Sequence, residues 1–124
     1  MFFACRDVEA TRAWYRDVLG FPLNDHGGAD FSHGESALAH GGGARTIWAP
    51  FDKTDYFKPG TGEFMINLMV DDLDGMIARL AEHGVDMCQE PETHGYGKFA
   101  WVIDPDGRKL ELWEPVKDVT VMDA

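Results

Sequence analysis

No apolar run in this 124-residue chain approaches the roughly 18 residues needed for a membrane-spanning helix. The opening "MFFAC" runs at once into Arg6 and Asp7 and lacks the long apolar stretch of a secretory signal. Cysteine is scarce: Cys5 and Cys88 stand far apart, without metal-like spacing, and read as reduced, small hydrophobic residues of a cytoplasmic protein. Basic residues are few, 11 Lys and Arg against 22 Asp and Glu, and the net charge of −11 disfavours a nucleic-acid partner, whose phosphates it would repel. Neither nucleic acid nor membrane is therefore expected as a partner. A neutral or cationic small molecule is compatible with this charge. What is present is ordinary for one globular domain, with 44% hydrophobic residues and enough length to bury a core.

Two segments read as amphipathic helices. "DVEATRAWYRDVLG" starts at Asp7, an N-cap residue, and stops at Gly20, with Thr11, Trp14, Tyr15, Val18 and Leu19 on one stripe. "DDLDGMIARLAEHG" repeats the plan from Asp71 and Asp72 to Gly84, with Leu73, Met76, Ile77, Leu80 and Ala81 as its apolar stripe. Asp7 to Gly20 and Asp71 to Gly84 are each a step of thirteen residues. Each helix follows an apolar strand-like run, "FFACR" or "EFMINLMV". This pattern is an internal duplication with a period of about 64 residues.

The remainder of each half reads as β-structure. After the second helix come the short candidate "VDMCQEPE" and the hairpin "KFAWVIDPDGRKLELWEP", with "DPDG" as its turn. After the first helix, "GADFSHG", "SALAHGG" and "ARTIWAP" are three shorter candidates divided by glycine. The segment 51–62, "FDKTDYFKPGTG", reads as the link. The expected architecture is α+β: two βαβββ modules, about 1–55 and 62–124, with helices near 8–19 and 73–83.

Within "GRKLELWEP" (107–115), alternation sets Leu110 and Leu112 on one face and Lys109, Glu111 and Trp113 on the other. If the second face meets water, this is an ordinary half-buried strand. If it lines a cavity, Glu111 is a semi-buried carboxylate beside a tryptophan, and such groups are candidates for function.

Paired βαβββ modules, "WYRDVLGF" in the first helix and "DPDGRKLELWEP" at the close resemble the vicinal oxygen chelate superfamily: glyoxalase I, extradiol dioxygenases, fosfomycin-resistance enzymes and bleomycin-binding proteins. "FMIN", "YGKFAWV" and "LELWEP" are similar to stretches of small bacterial glyoxalase-like proteins. The resemblance implies a cupped mixed sheet with helices outside and an active site within the cup. It also implies that the carboxylate of "ELW", here Glu111, is one of the usual metal ligands, which turns the Glu111 face inward.

The other implied ligand positions are altered. Six residues before Asp71 stands Met65, a thioether unsuited to the hard or borderline ions of this family. Seven residues before Asp7 falls one position ahead of Met1, and alignment with the late glutamate of glyoxalase I gives Trp48. One carboxylate remains of three or four ligands, so no bound transition metal is expected, and Glu111 is the residue to hold a divalent ion if any does. The histidines His26, His33, His40, His83 and His94 read as exposed or locally bonded, although His33 and His40 could turn into the cup. His83 suits the C-terminal end of the second helix.

By the same alternation, Phe2, Ala4 and Arg6, and Met65, Asn67 and Met69, are expected on the inner face, with Trp48, Trp101 and Trp113 joining them. An apolar, aromatic pocket with Asn67, Glu111 and Arg6 suits a small organic ligand. Two function classes follow. In one, an enzyme uses Glu111 as general base, with Asn67 or Arg6 orienting the substrate, or, as the lesser alternative, works as a metal-dependent lyase, isomerase or dioxygenase on a metal site rebuilt with the histidines. In the other, a metal-independent protein sequesters its ligand in the manner of the bleomycin-binding proteins. Strand edges and apolar helix faces, and the family's habit of pairing modules between chains, imply a homodimer.

Overall fold

A computed structural model describes residues 1–41, 44–52, 54–62 and 64–116. Gly42 of the expected strand "SALAHGG", the adjoining Gly43, Lys53 of the link, Glu63 of "EFMINLMV" and residues 117–124 of the second module lie outside the described residues.

Both expected helices form. Helix α1 spans Val8–Asp17 and is capped by the Asp7 carboxylate, which accepts from the Ala10 N–H at 3.0 Å. Helix α3 spans Leu73–Glu82, and its cap is Asp72, accepting from the Gly75 N–H at 3.0 Å. Asp71, the other residue leading into that helix, instead pairs with His40 at 3.0 Å. Gly20 and Gly84 follow the two helices at φ of 77° and 70°, a left-handed conformation that costs glycine nothing.

The second half builds a βαβββ unit: β1 (Ile66–Met69), α3, β2 (Glu92–His94), β3 (Gly97–Ile103) and β4 (Lys109–Pro115). Its four strands lie in the order β1-β4-β3-β2, with β1 and β4 parallel and the other pairs antiparallel. The hairpin turns at "DPDG", where the Asp104 N–H donates to the Arg108 carbonyl at 2.9 Å and Gly107 adopts φ 84°. The short strand expected within 85–92 forms nearer the turn, at Glu92–His94. Two residues, Gly95 and Tyr96, close that hairpin, so pairing begins at His94↔Gly97, and Pro91 has no N–H to extend the ladder.

The first half departs from the expected β-structure. Among the described residues before Ile66 there is no strand, only an isolated Leu23↔Ala29 bridge. "FFACR" and "ARTIWAP" carry no regular structure, and "SALAH" belongs to helix α2 (His33–His40). The Ser32 hydroxyl caps α2 by accepting from the Glu35 N–H at 3.2 Å, a Ser-x-x-Glu start that outweighs the strand-like alternation. Alanine and leucine without β-branched residues complete the preference for helix.

The helices cover one face of the sheet. Tyr15, Val18 and Leu19 from the first half and Leu73 and Leu80 from α3 pack on Ala100, Val102, Leu110 and Leu112. Leu110 and Leu112 are thus buried against helix, and the alternate residues of β4 emerge on the opposite face.

Candidate functional site

The register places Asn67 of β1, Glu111 of β4 and Trp101 of β3 in one row across the sheet, on the face away from the helices. Met69, Trp113 and Phe99 form the next row. Neighbours in a row stand close enough for their side chains to meet. The Asn67 amide donates to Glu111 Oε1 at 2.7 Å, and the Trp101 indole N–H donates to Oε2 at 2.9 Å. A third donor, the Tyr56 hydroxyl, makes a short hydrogen bond to the same Oε2. Glu111 is 9% exposed, and among the described residues no Lys, Arg or His forms an ion pair with it. A buried carboxylate is tolerated because these donors replace water.

Aromatic rings wall the site. Phe99 stacks on Trp101 at 6.2 Å and on Trp113 at 6.0 Å, with Met65, Met69 and Cys88 packed against the group. The Trp113 indole N–H donates to the Tyr96 carbonyl at 3.0 Å, so Trp113 contributes surface and no free donor. In front of Glu111 opens a cavity of about 900 Å³, reached by Asn67, Met65, Tyr56, Phe51, Phe57 and Ile47 among others. That volume falls within the usual range for small-molecule sites.

The site assembles four of the residues named from sequence with Glu111 itself: Asn67 and Met65 on the cavity, Trp101 on the carboxylate and Trp113 behind it. Two stand elsewhere. Arg6 donates from Nε to Asp106 at 2.9 Å and from Nη2 to the Pro105 carbonyl at 2.6 Å, with its side chain 81% exposed. Without a strand at residues 2–6 nothing directs Arg6 inward, and the acidic "DPDG" turn captures it. Trp48 is 86% exposed and lies outside the cavity wall.

Two contributors have no role assigned from the sequence. Tyr56 belongs to the segment taken as a link, where no periodicity points a side chain. Lys109 was detectable by alternation, since it shares the face of Glu111. It is 2% exposed; its ammonium donates to the Tyr56 carbonyl at 2.6 Å and to Gln89 Oε1 at 2.8 Å, and sits 4.9 Å from the Tyr56 ring centre and 5.7 Å from that of Trp101.

The residues around Glu111 do not fit a divalent ion. Asn67, Trp101 and Tyr56 present N–H and O–H donors to the carboxylate, a set that suits an anion. No group of three or more His, Cys, Asp or Glu side chains able to hold a metal occurs among the described residues. None of the five histidines reaches the cavity. His40 pairs with Asp71, His94 with Glu92 at 3.0 Å, and His83 caps α3.

Burial and the adjoining Glu111 carboxylate push the Tyr56 phenol well above its ordinary range; burial and Asp104 do the same for Tyr15. In the unfolded chain both ionise near pH 10, about the ordinary phenol value. Across that range the folded chain therefore holds protons that the unfolded chain releases, and stability falls as pH rises through about 10 and beyond. Urea midpoints followed across this pH range should drop for the native sequence and drop much less for a Tyr15→Phe/Tyr56→Phe protein. An unchanged slope in the double variant would assign the alkaline loss to other groups.

The model of the Glyoxalase/Bleomycin resistance protein/Dioxygenase superfamily matches residues 1–112. A Synechocystis protein named as a probable lactoylglutathione lyase is 32% identical over 114 residues, covering 86% of each chain. The uncharacterized protein YaeR of Escherichia coli is 31% identical over 114 residues, covering 87% of this chain and 88% of its own. The crystal structure of TnmS3, an antibiotic binding protein from Streptomyces sp. CB03234, superposes with a TM-score of 0.55 at 27% identity, covering 94% of this chain and 99% of the other.

Proposed function

We propose that this chain, which belongs to the Glyoxalase/Bleomycin resistance protein/Dioxygenase superfamily, binds a small organic molecule in the aromatic cavity, with Glu111 accepting a hydrogen bond from it and no metal ion between them. The observation that carries this reading is the Glu111 carboxylate, buried at a largely apolar cavity and held, among the described residues, by neutral donors alone. A carboxylate has about four acceptor positions. Among the described residues three are used, and Oε1, with one partner there, offers a position for a ligand donor. The likeness to an antibiotic binding protein supports binding as the activity.

Catalysis is the second reading. The relative named as a probable lactoylglutathione lyase favours it, with Glu111 then taking a proton from the substrate. Incubation with an identified ligand separates the two, since binding alone returns the ligand unchanged.

A thermal-shift screen of small molecules should find compounds that stabilise the protein in proportion to the logarithm of their concentration. Glu111→Gln preserves the shape of the site and turns an acceptor into a donor facing donors. Affinity for such a compound should fall at least about tenfold, and stability by about 1–2 kcal/mol. Full affinity in the Gln variant would remove Glu111 from the site.

We also propose a cytoplasmic homodimer; the free cysteines Cys5 and Cys88 suit a reducing compartment. No helix among the described residues is long and apolar enough to cross a membrane. Among the described residues the outer edges of β1 and β2 lack a strand neighbour in the sheet, and Phe2, Phe31, Leu38, Ile47, Trp48 and Phe64 expose apolar surface in one chain. Sedimentation at micromolar concentration should give twice the 13.9 kDa chain mass; a species of that mass alone would contradict dimerisation.

A further inference from the structure

The three donors on Glu111 differ in what carries them. Asn67 and Trp101 stand on β1 and β3 as cross-strand neighbours of Glu111, and the ladder fixes both. Tyr56 comes from residues 54–60, which form turns without helix or strand. Its ring is held by contacts that a competitor can replace: the Glu111 hydrogen bond, the Lys109 ammonium 4.9 Å from its centre, a stack on Phe51 at 5.8 Å and an edge contact with Trp101 at 6.5 Å. Tyr56 also forms part of the cavity wall in front of Glu111. As a residue it is 38% exposed although its hydroxyl rests on a buried carboxylate.

From this arrangement, and resting on the ligand-binding reading of Glu111, we infer that Tyr56 is an internal stand-in for the ligand: the site takes a neutral aromatic molecule bearing a phenol-type hydroxyl, which displaces the Tyr56 side chain and occupies its place between Glu111 and Lys109.

The chemistry of that place selects the class. Glu111 and Lys109 lie two residues apart on one face of β4, and both are buried. Their opposite charges leave the site without net charge. A hydroxyl donor satisfies Glu111 as the Tyr56 hydroxyl does. An electron-rich ring satisfies Lys109 through its face. A cationic ligand in the same position would add a second positive charge beside the buried ammonium, which lies 4.9 Å from the centre of the ring being replaced, where repulsion is weakly screened. An aromatic lacking the hydroxyl would strip Glu111 Oε2 of one donor and return none.

Displacement also has a thermodynamic signature. While the Tyr56 side chain occupies the site, only the fraction of molecules with that side chain swung away is competent, and apparent affinity is reduced by that fraction. Weakening the internal contact should raise affinity for the external ligand.

Calorimetric or fluorescence titration with three probes, p-cresol, toluene and benzylamine, tests this on the native protein, Tyr56→Phe and Tyr56→Phe/Glu111→Gln. The expected result is that p-cresol binds Tyr56→Phe at least about tenfold more tightly than the native protein, that the gain disappears when Glu111 is also changed, and that toluene and benzylamine show no comparable gain. Equal or weaker p-cresol binding by Tyr56→Phe, still dependent on Glu111, would overturn displacement and leave the binding reading standing. Preference for benzylamine would overturn the neutral-phenol class. Absence of Glu111-dependent binding by any probe in either background would overturn this inference together with the proposed function. Should Tyr56→Phe fold poorly, Tyr56→Ala offers the same test through rescue: p-cresol should raise its melting temperature more than toluene does, and an equal rise with both would count against a hydroxyl-selective place.

Discussion

An Asp104→Ala protein is expected to lose roughly 3–5 kcal/mol of stability, the usual cost of removing one partner of a buried charged pair. The Asp104 side chain is wholly buried and accepts four hydrogen bonds: from the Tyr15 hydroxyl at 2.6 Å, the Asp106 and Arg108 N–H groups at 2.8 and 2.9 Å, and Arg108 Nη1 at 3.2 Å. It therefore joins helix α1 to the β3–β4 turn while shaping that turn. Alanine leaves the Tyr15 hydroxyl without its partner and the Arg108 guanidinium short of one anion. Arg6→Ala, which removes an exposed bridge to Asp106, should cost no more than about 1 kcal/mol. Urea unfolding of the two variants should separate them clearly. Similar small losses in both would mean that the turn network adds little to the fold.

The second large effect is expected in the hydrophobic layer. Leu80 of α3 has no exposed surface and packs in the cluster that joins both helices to β3 and β4. Leu80→Ala removes buried methyl groups and leaves a cavity in a close-packed region, a change worth about 2–5 kcal/mol. Against a total stability of about 5–15 kcal/mol for a domain, that is a large share. Leu38 on α2 is 91% exposed, so Leu38→Ala should stay within about 0.5 kcal/mol. If Leu80→Ala lowered stability by less than Leu38→Ala did, α3 would not lie on the sheet as described.

The parts legible in the sequence are those where a local rule and burial agree. Asp7 and Gly20 bracket the first helix, Asp72 and Gly84 the second, and each encloses an apolar stripe that the sheet covers. Leu110 and Leu112 fix the register of β4, which in turn directs Glu111 and Trp113 to the opposite face. Asn67 and Trp101 follow by the same alternation on neighbouring strands. Legibility fails where contact depends on distant partners. "FFACR" and "ARTIWAP" have strand composition, but a strand needs a neighbour to satisfy its backbone, and none of the described strands pairs with them. Arg6 misleads for the same reason. Helix α2 was overlooked although Ser32 and Glu35 mark its start, because glycine-divided alternation suggested short strands. Tyr56 reaches Glu111 through the clamp of Lys109 on its carbonyl, a contact across 53 residues that no local pattern announces.

The central claim is that a ligand enters the face carrying Glu111. The four tryptophans provide separate reporters: Trp101 donates its indole N–H to Glu111, Trp113 donates to Tyr96, Trp14 packs among the residues of the helical layer, and Trp48 is exposed. A ¹H–¹⁵N spectrum of the indole N–H groups, recorded as a stabilising small molecule is added, tests the claim most directly. The account predicts that the Trp101 signal shifts most, that the Trp14 signal barely moves, and that the Trp101 shift is lost in Glu111→Gln. A saturable shift of the Trp14 or Trp48 signal with that of Trp101 unmoved would contradict it.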